Sequence, residues 1–352
     1  MAALFAELAF AGRYSAGVID DSGQDPGHAA GFTWGDLLTA LIEEHGTLSA
    51  VAWRLIEQAS GDDVASIERA LRRLRRRGQL DGGVWGQRLL RVFGVPATVE
   101  SRVRWMGLYH SPFSDLPLPL CQDQLRLWDR PPVSTSRARV WLHLGHASCA
   151  LRARDFTDAA AQLARTTAAL AGLAGHDDAR LEVALVGAYV ASQRGESVQP
   201  AFAAAERLLA AAELAPDDAA CFRARLVDQR AYQLNRAGEH AAALALYESL
   251  PAEDLHPFAS YRRDAGRAFG CLRSGRADEA LRLALRACEH AGDGGYTRLR
   301  AMGLLLVAQV QGRPGGDAAR ARARAIARRL GDGELLARAD RHADRPGGHT
   351  DV

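Results

Sequence analysis

From Ser136 onward the chain repeats itself. Ala231–Tyr247 and Ala268–Ala284 each read as a helix, a turn centred on Gly238 or Gly275, and a second helix carrying Ala243 or Ala280 near its start. An earlier unit opens at Trp141-Leu142-His143-Leu144-Gly145 and turns over Arg154–Ala159. A weaker unit covers about residues 180–213, with its turn near Gly195 and Pro200, and a last one covers about 296–343, turning at Gly315-Gly316. One helix pair cannot bury its own apolar face, so such units must stack and share a core. The spacing predicts about five helix pairs after residue 136 and no sheet.

These units resemble tetratricopeptide repeats, in which small residues let paired helices approach closely and a Trp-x-x-Leu-Gly opening is common. The landmark residues Ala159, Ala201, Ala243 and Ala280 are 42, 42 and 37 apart, wider than the roughly 34 of that family. The resemblance covers more than half of the chain and implies a right-handed α-solenoid whose groove holds an extended peptide or a helix. Carried over residue by residue, the groove positions are Leu142, His146 and Cys149, then Arg225, Asp228, Tyr232, Asn235 and Arg236, then Arg262, Ala265, Phe269, Leu272 and Arg273. The peptide or protein contacts expected from these are His146, Asp228, Tyr232, Asn235, Arg236, Phe269 and Arg273. Tyr232 and Phe269 could equally fill the seam between repeats. The family's Lys-and-Asn carboxylate clamp is absent, which disfavours an adaptor for C-terminal tails.

Composition agrees with helix. Nearly half of the residues are hydrophobic, Ala, Leu and Arg dominate, and no long alternating strand pattern appears. Every basic residue in the charge count is arginine. Without lysine, a phosphate-binding Gly-rich loop of the Lys-Ser/Thr type and a lysine Schiff base are both excluded. The net charge is only +2, so the chain as a whole is no polyanion binder, but its charge is uneven. Eight arginines lie between Ile67 and Arg91 against Glu68 and Asp81, and a second basic run carries Arg320, Arg322, Arg324, Arg328 and Arg329. Five scattered cysteines without Cys-x-x-Cys spacing point to a reducing compartment rather than a disulfide framework or zinc ribbon.

Ahead of the repeats, residues 32–95 read as a compact helical module. Trp34, Leu37, Leu38, Leu41 and Ile42 form one stripe, Gly46 ends that helix, and Thr47 or Ser49 caps the next, which carries Val51, Leu55 and Ile56. Asp62 or Asp63 then caps a helix with Val64, Ile67, Leu71 and Leu74 on one face, ended by Gly78. Its other faces carry Arg69, Arg72, Arg73, Arg75, Arg76 and Arg77. Such a helix can present arginines to phosphates and guanine edges, or can be an ordinary solvated face. Phe32–Leu38, Gly46–Ser49, Ser66-Ile67-Glu68 and Leu89–Pro96 resemble helix-turn-helix domains of the lambda-repressor class. The segment between Trp53 and Ser66 is longer than that family's turn. A winged helix with Gln79–Arg91 as the wing is the competing topology. Either resemblance implies contact with double-stranded DNA through Arg69, Arg72, Arg73 and Arg76.

Residues 96–136 mix Trp105, Met106, Leu108, Tyr109, Phe113 and Trp128 with Pro112, Pro117, Pro119, Pro131 and Pro132, and read as an irregular interdomain strap. No catalytic constellation emerges. His143-x-x-His146-x-x-Cys149 lacks a fourth ligand, His110, Ser111 and Asp115 lack a nucleophile context, and Asp177-Asp178 and Asp217-Asp218 read as helix starts. No cofactor or metal is expected. Residues 1–31 read as a short amphipathic helix and a flexible connection rather than a signal peptide, and residues 346–352 as a disordered tail. No apolar run approaches membrane-spanning length.

The expectation is therefore an all-α chain: a helix-turn-helix-like bundle over 32–95, a strap over 96–136, and a tetratricopeptide-like solenoid over 137–345. It is expected to be a cytoplasmic, non-enzymatic bacterial regulator joining DNA to a peptide or protein, with a homodimer compatible with that layout. The alternative is a scaffold subunit of a multi-protein, defence-type assembly that binds no DNA.

Overall fold

A computed structural model describes residues 31–57, 63–252 and 256–341. Every regular element within them is helical, and they contain no strand. The readings of the N-terminal helix and connection, of Asp62 as a cap, and of the 346–352 tail lie outside the described residues. The chain divides into two compact units. The first runs to Gly94 and takes in Arg130–Thr135; the second comprises Val95–Asp129 and the chain from Ser136 on.

The first unit contains α1 (Trp34–His45), α2 (Leu48–Ile56), α3 (Val64–Arg75) and α4 (Gly83–Val92). Its helix starts are written in the sequence. The Thr33 hydroxyl accepts from Asp36 N–H at 3.1 Å while Asp36 accepts from Thr33 N–H at 2.9 Å, a reciprocal capping box. Thr47 caps α2, and Asp63 accepts from Ser66 N–H at 2.8 Å to cap α3. Leu37, Leu38, Leu41, Val51, Leu55, Ile67, Leu71, Leu74 and Leu89 close around Trp34. The Trp34 indole N–H donates to Leu80 C=O at 2.8 Å, so its polar edge is satisfied where the ring is buried. Gly82 and Gly86 lie flat against that ring; a Cβ at Gly86 would stand 2.7 Å from it.

No wing forms over 79–91, because residues 83–92 are helical. Gly86 and Leu89, spaced as on a helix face, are the buried positions, and the glycine pair at 82–83 starts the helix instead of turning a hairpin.

The second unit opens with α5 (Ala97–Gly107), a 3₁₀ turn (Pro112–Asp115) and α6 (Leu118–Trp128). The irregular reading of 96–136 is corrected here. Pro96 and Pro117 occupy N-cap positions, Pro119 lies in the first turn of α6, and Pro112 opens the 3₁₀ turn. At a helix start proline loses no hydrogen bond, so its density here delimits helices and does not forbid them. Both helices pack on α7 (Arg139–Arg152). The contact is close: a Cβ on Gly107 would lie 2.4 Å from Trp141 C=O, and one on Gly145 2.6 Å from the Leu125 side chain.

Five helix pairs follow: α7 with α8 (Phe156–Leu170), α9 (Asp177–Arg194) with α10 (Gln199–Ala211), α11 (Pro216–Arg236) with α12 (His240–Glu248), α13 (Pro257–Arg273) with α14 (Ala277–Asp293), and α15 (Thr297–Gln311) with α16 (Asp317–Leu330). A short α17 (Gly333–Arg341) packs on the last pair. First helices also touch one another in sequence, α7 on α9, α9 on α11, α11 on α13 and α13 on α15.

The first four of these helices end alike. Residues 154, 195, 238 and 275 are left-handed, and the next N–H reaches back to Ala150, Ala191, Leu234 or Cys271 C=O at 2.9 Å. Three of the four are glycines; the first is Arg154, at φ 61°. Ala159, Ala243 and Ala280 are fully buried three residues into their second helices. In the second pair that place belongs to Phe202, and Ala201 is half-buried, because the turn from Gly195 to Gln199 is two residues longer than its counterparts.

Candidate functional site

Arg69, Arg72, Arg73 and Arg76 stand at i, i+3, i+4 and i+7 of α3 and its C-cap, hence on one face. All four are exposed, while Ile67, Leu71 and Leu74 on the opposite side are buried. Arg72 pairs with Glu68 at 2.7 Å, and Arg69 donates to the Ser66 hydroxyl at 2.9 Å. Glu68 also accepts from the Ser49 hydroxyl, which ties α3 to α2. Arg73 and Arg76 have no ion pair among the described residues, so their charge faces solvent. Trp53, Leu80 and Val84 are exposed large hydrophobic residues of the same unit.

In the second unit the residues carried over as groove contacts fall into two groups. Asp228, Asn235 and Arg273 are engaged within the fold. Asp228 accepts from Tyr247 OH and from Arg262, each at 2.8 Å, and so ties α11 to α12 and α13. His240 links Asn235 Oδ1, at 2.9 Å from its Nδ1, to the Arg273 guanidinium, at 3.0 Å from its Nε2. His146 lies 3.4 Å from Asp129, and that contact holds the Asp129 carboxyl below its ordinary range. Tyr232 and Arg236, by contrast, are exposed, and Phe269 is half-buried. Arg236 and Gln233 border an open cleft of about 470 Å³ with Ser192, Glu196 and Gln199.

A further polar assembly is not legible in the repeats alone. Residues 108–116, the strap between α5 and α6, reach the first helices of all five pairs. Tyr109 N–H donates to Glu182 of α9 at 3.1 Å. His110 Nε2 lies 3.1 Å from Asp218 of α11, and its ring meets Phe222 edge-on and Phe258 of α13 at a tilt. Tyr296, at the start of α15, donates its hydroxyl to His110 C=O at 2.7 Å. The Asp115 carboxylate accepts from Arg298 N–H at 2.6 Å and Leu299 N–H at 3.3 Å, in the first turn of α15. Ser148 and Arg152 of α7 line a cavity of about 10 Å³ with Tyr109, Ser114 and Asp115.

Charge surrounds the strap in pairs. Arg104, at the end of α5, bridges Asp178 at 2.8 Å and Asp218 at 2.6 Å. Arg225 pairs with Glu182 at 2.6 Å and lies over the Tyr109 ring. Arg298 pairs with Asp332 and Glu334. Burial works to raise the Asp218 carboxyl, but the His110 hydrogen bond and the Arg104 charge overcome it and hold the group at about 2. Burial of Asp115 prevails over its two backbone donors and raises its carboxyl. Asp178 and Asp218, expected only at helix starts, do lie in first turns, yet each also anchors Arg104. The sequence signal was an arginine and a histidine set among aromatics at 104–110, with acids at matching places on two later helices.

The described residues hold no group of three or more His, Cys, Asp or Glu able to bind a metal. All five cysteines are free thiols; Cys121 lies beside Cys149 and Arg152, the last at 3.5 Å. No helix among the described residues is long and apolar enough to cross a membrane. The chain matches no family model, no curated protein and no solved structure.

Proposed function

We propose that this chain is a regulatory adaptor: the arginine face of α3 binds double-stranded DNA, and the helix pairs, read as a tetratricopeptide-like solenoid, hold a peptide segment of a protein partner. The observation that carries the first half is the exposure of Arg69, Arg72, Arg73 and Arg76 on one face of a helix whose other face is core. Arginines in that arrangement match the spacing of phosphates along a groove and can reach base edges. The second half is supported by the recurrent pairs, their shared left-handed helix ends and the open cleft at Arg236 beside exposed Tyr232. The cytoplasm suits a DNA-binding chain with five free thiols.

The test is duplex binding by the full-length protein, followed by fluorescence anisotropy across a salt series. Arg73→Ala with Arg76→Ala should weaken binding and reduce the salt slope by about two, since each phosphate contact releases close to one counterion. Binding that is absent, or unaffected by salt, removes the DNA half. Exposed Trp53, Leu80 and Val84 favour a second reading in that event, in which the first unit docks a protein and the chain is a scaffold subunit.

A further inference from the structure

We infer that the strap, Leu108–Leu116, is an intramolecular ligand of the face built by α7, α9, α11, α13 and α15, and that this face accepts in trans a turn-forming peptide of the same chemistry. That chemistry is an aromatic-histidine dipeptide with free main-chain groups, followed a few residues later by a carboxylate. The inference rests on the reading of the helix pairs as a peptide-binding stack.

The manner of holding argues for it. Side chains of the stack bind the strap's main chain: Glu182 takes Tyr109 N–H and Tyr296 gives to His110 C=O. Conversely, the stack's own main chain at residues 298 and 299 binds the strap's one carboxylate, Asp115. Such reciprocal main-chain and side-chain recognition is how grooves hold peptide segments. An apolar core would exclude charge, whereas Glu182, Arg225 and His110 are each at least 95 % buried at this contact.

The contact is also incompletely satisfied. Among the described residues His110 Nδ1, Glu182 Oε2, Ser148 Oγ, Arg152 Nε and Arg262 Nε are buried without a hydrogen-bond partner, and the cavity beside Arg152 and Ser148 is about the size of one water. Residual polar demand of this kind lowers the cost of exchanging one occupant for another. The strap meets α7 at its C-terminal end, at Ser148 and Arg152, and covers the N-terminal parts of α9, α11, α13 and α15, at Glu182, Asp218, Phe222, Phe258 and Arg298. Tyr232, Arg236 and Phe269 lie nearer their C-terminal ends, so the cleft beside Arg236 stays open while the strap is docked.

Two measurements on the full chain test this. Hydrogen exchange on the unmodified protein should show the strap amides of Tyr109, Ser111 and Ser114 at least tenfold less protected than the central amides of α11 and α13, because a docked ligand opens locally. Equal protection overturns the inference and leaves the Arg236 cleft as the peptide site. Second, a fluorescein-labelled peptide spanning residues 106–117 is titrated against wild type and His110→Ala/Asp115→Ala. The variant, its own strap weakened, should bind the peptide at least tenfold more tightly, and adding Glu182→Gln should reverse the gain. Collapse of the helical signal in the double variant assigns the strap to the core and overturns the inference. Rapid strap exchange with no peptide capture by an intact variant overturns the inference and again leaves the Arg236 cleft as the peptide site.

Discussion

Arg154 is the one non-glycine among the described residues with positive φ. A side chain in the left-handed region costs on the order of 1 kcal/mol, and glycine escapes that cost. The three later first helices place Gly195, Gly238 and Gly275 at the same point of the turn. Arg154→Gly should therefore stabilise the second unit by about 0.5–1 kcal/mol, after allowing for the lost stacking on Phe156 and the more flexible unfolded chain. A rise of the thermal midpoint by about 1–3 °C is the expected readout; a fall would show that the Phe156 contact outweighs the strain. Gly86 presents the opposite case. Its place against Trp34 leaves no room for a methyl group, so Gly86→Ala should cost about 1–3 kcal/mol through overpacking. Urea denaturation followed by tryptophan fluorescence checks this, and an unchanged midpoint would mean that the indole can move aside.

At the scale of elements, helices were legible wherever one face is apolar and a cap precedes it. The Gly46 break and the Gly238 and Gly275 turns can be named from sequence, and the Thr47 and Asp63 caps narrowed to two candidates each, because each depends on its own few residues. The strap cannot. Its short helices begin at prolines, whose density reads as helix-breaking in the sequence, and its conformation is set by partners more than 70 residues away. Family positions likewise locate only a helix face: that Asp228 and Asn235 also bond neighbouring helices is set by residues outside their own repeat helix. The buried charge also fixes how the strap responds to acid. Asp218 is held at about 2, below its unfolded value, so it contributes stability that is full above about pH 4 and lost as pH falls toward 2. Asp115 is shifted upward, so its contribution has the opposite sign and favours the folded state on the acid side. Asp218→Asn should flatten the decline of thermal midpoint between pH 4 and 2, whereas Asp115→Ala should remove a gain in midpoint that accrues above that range, as pH falls toward about 4. A wild-type profile level down to pH 2 would contradict the Asp218 assignment.

For the whole molecule, two compact units predict more than one unfolding step. Calorimetry should resolve two transitions, and Gly86→Ala should lower only one of them. Within the second unit, a plain stack of helix pairs would fray from its last pair, because each pair touches only its neighbours. The strap changes that expectation by joining residue 110 to residue 296 and residue 115 to residues 298 and 299. The transition of the second unit should accordingly be single and cooperative. Early loss of α15 and α16, seen as exchange in that pair far ahead of α9, would show that the strap does not brace the stack.

Tyr296 follows His110 by 186 positions. At roughly 5–20 residues per second of synthesis, that distance is on the order of 10–40 seconds. The strap leaves the ribosome first and must wait for its final partner. Throughout that interval Tyr109, His110 and Asp115 are available to any other molecule that can hold them. The end of assembly in the second unit is thus set by a clock: nothing completes until the last pair has been made and the waiting strap is taken in.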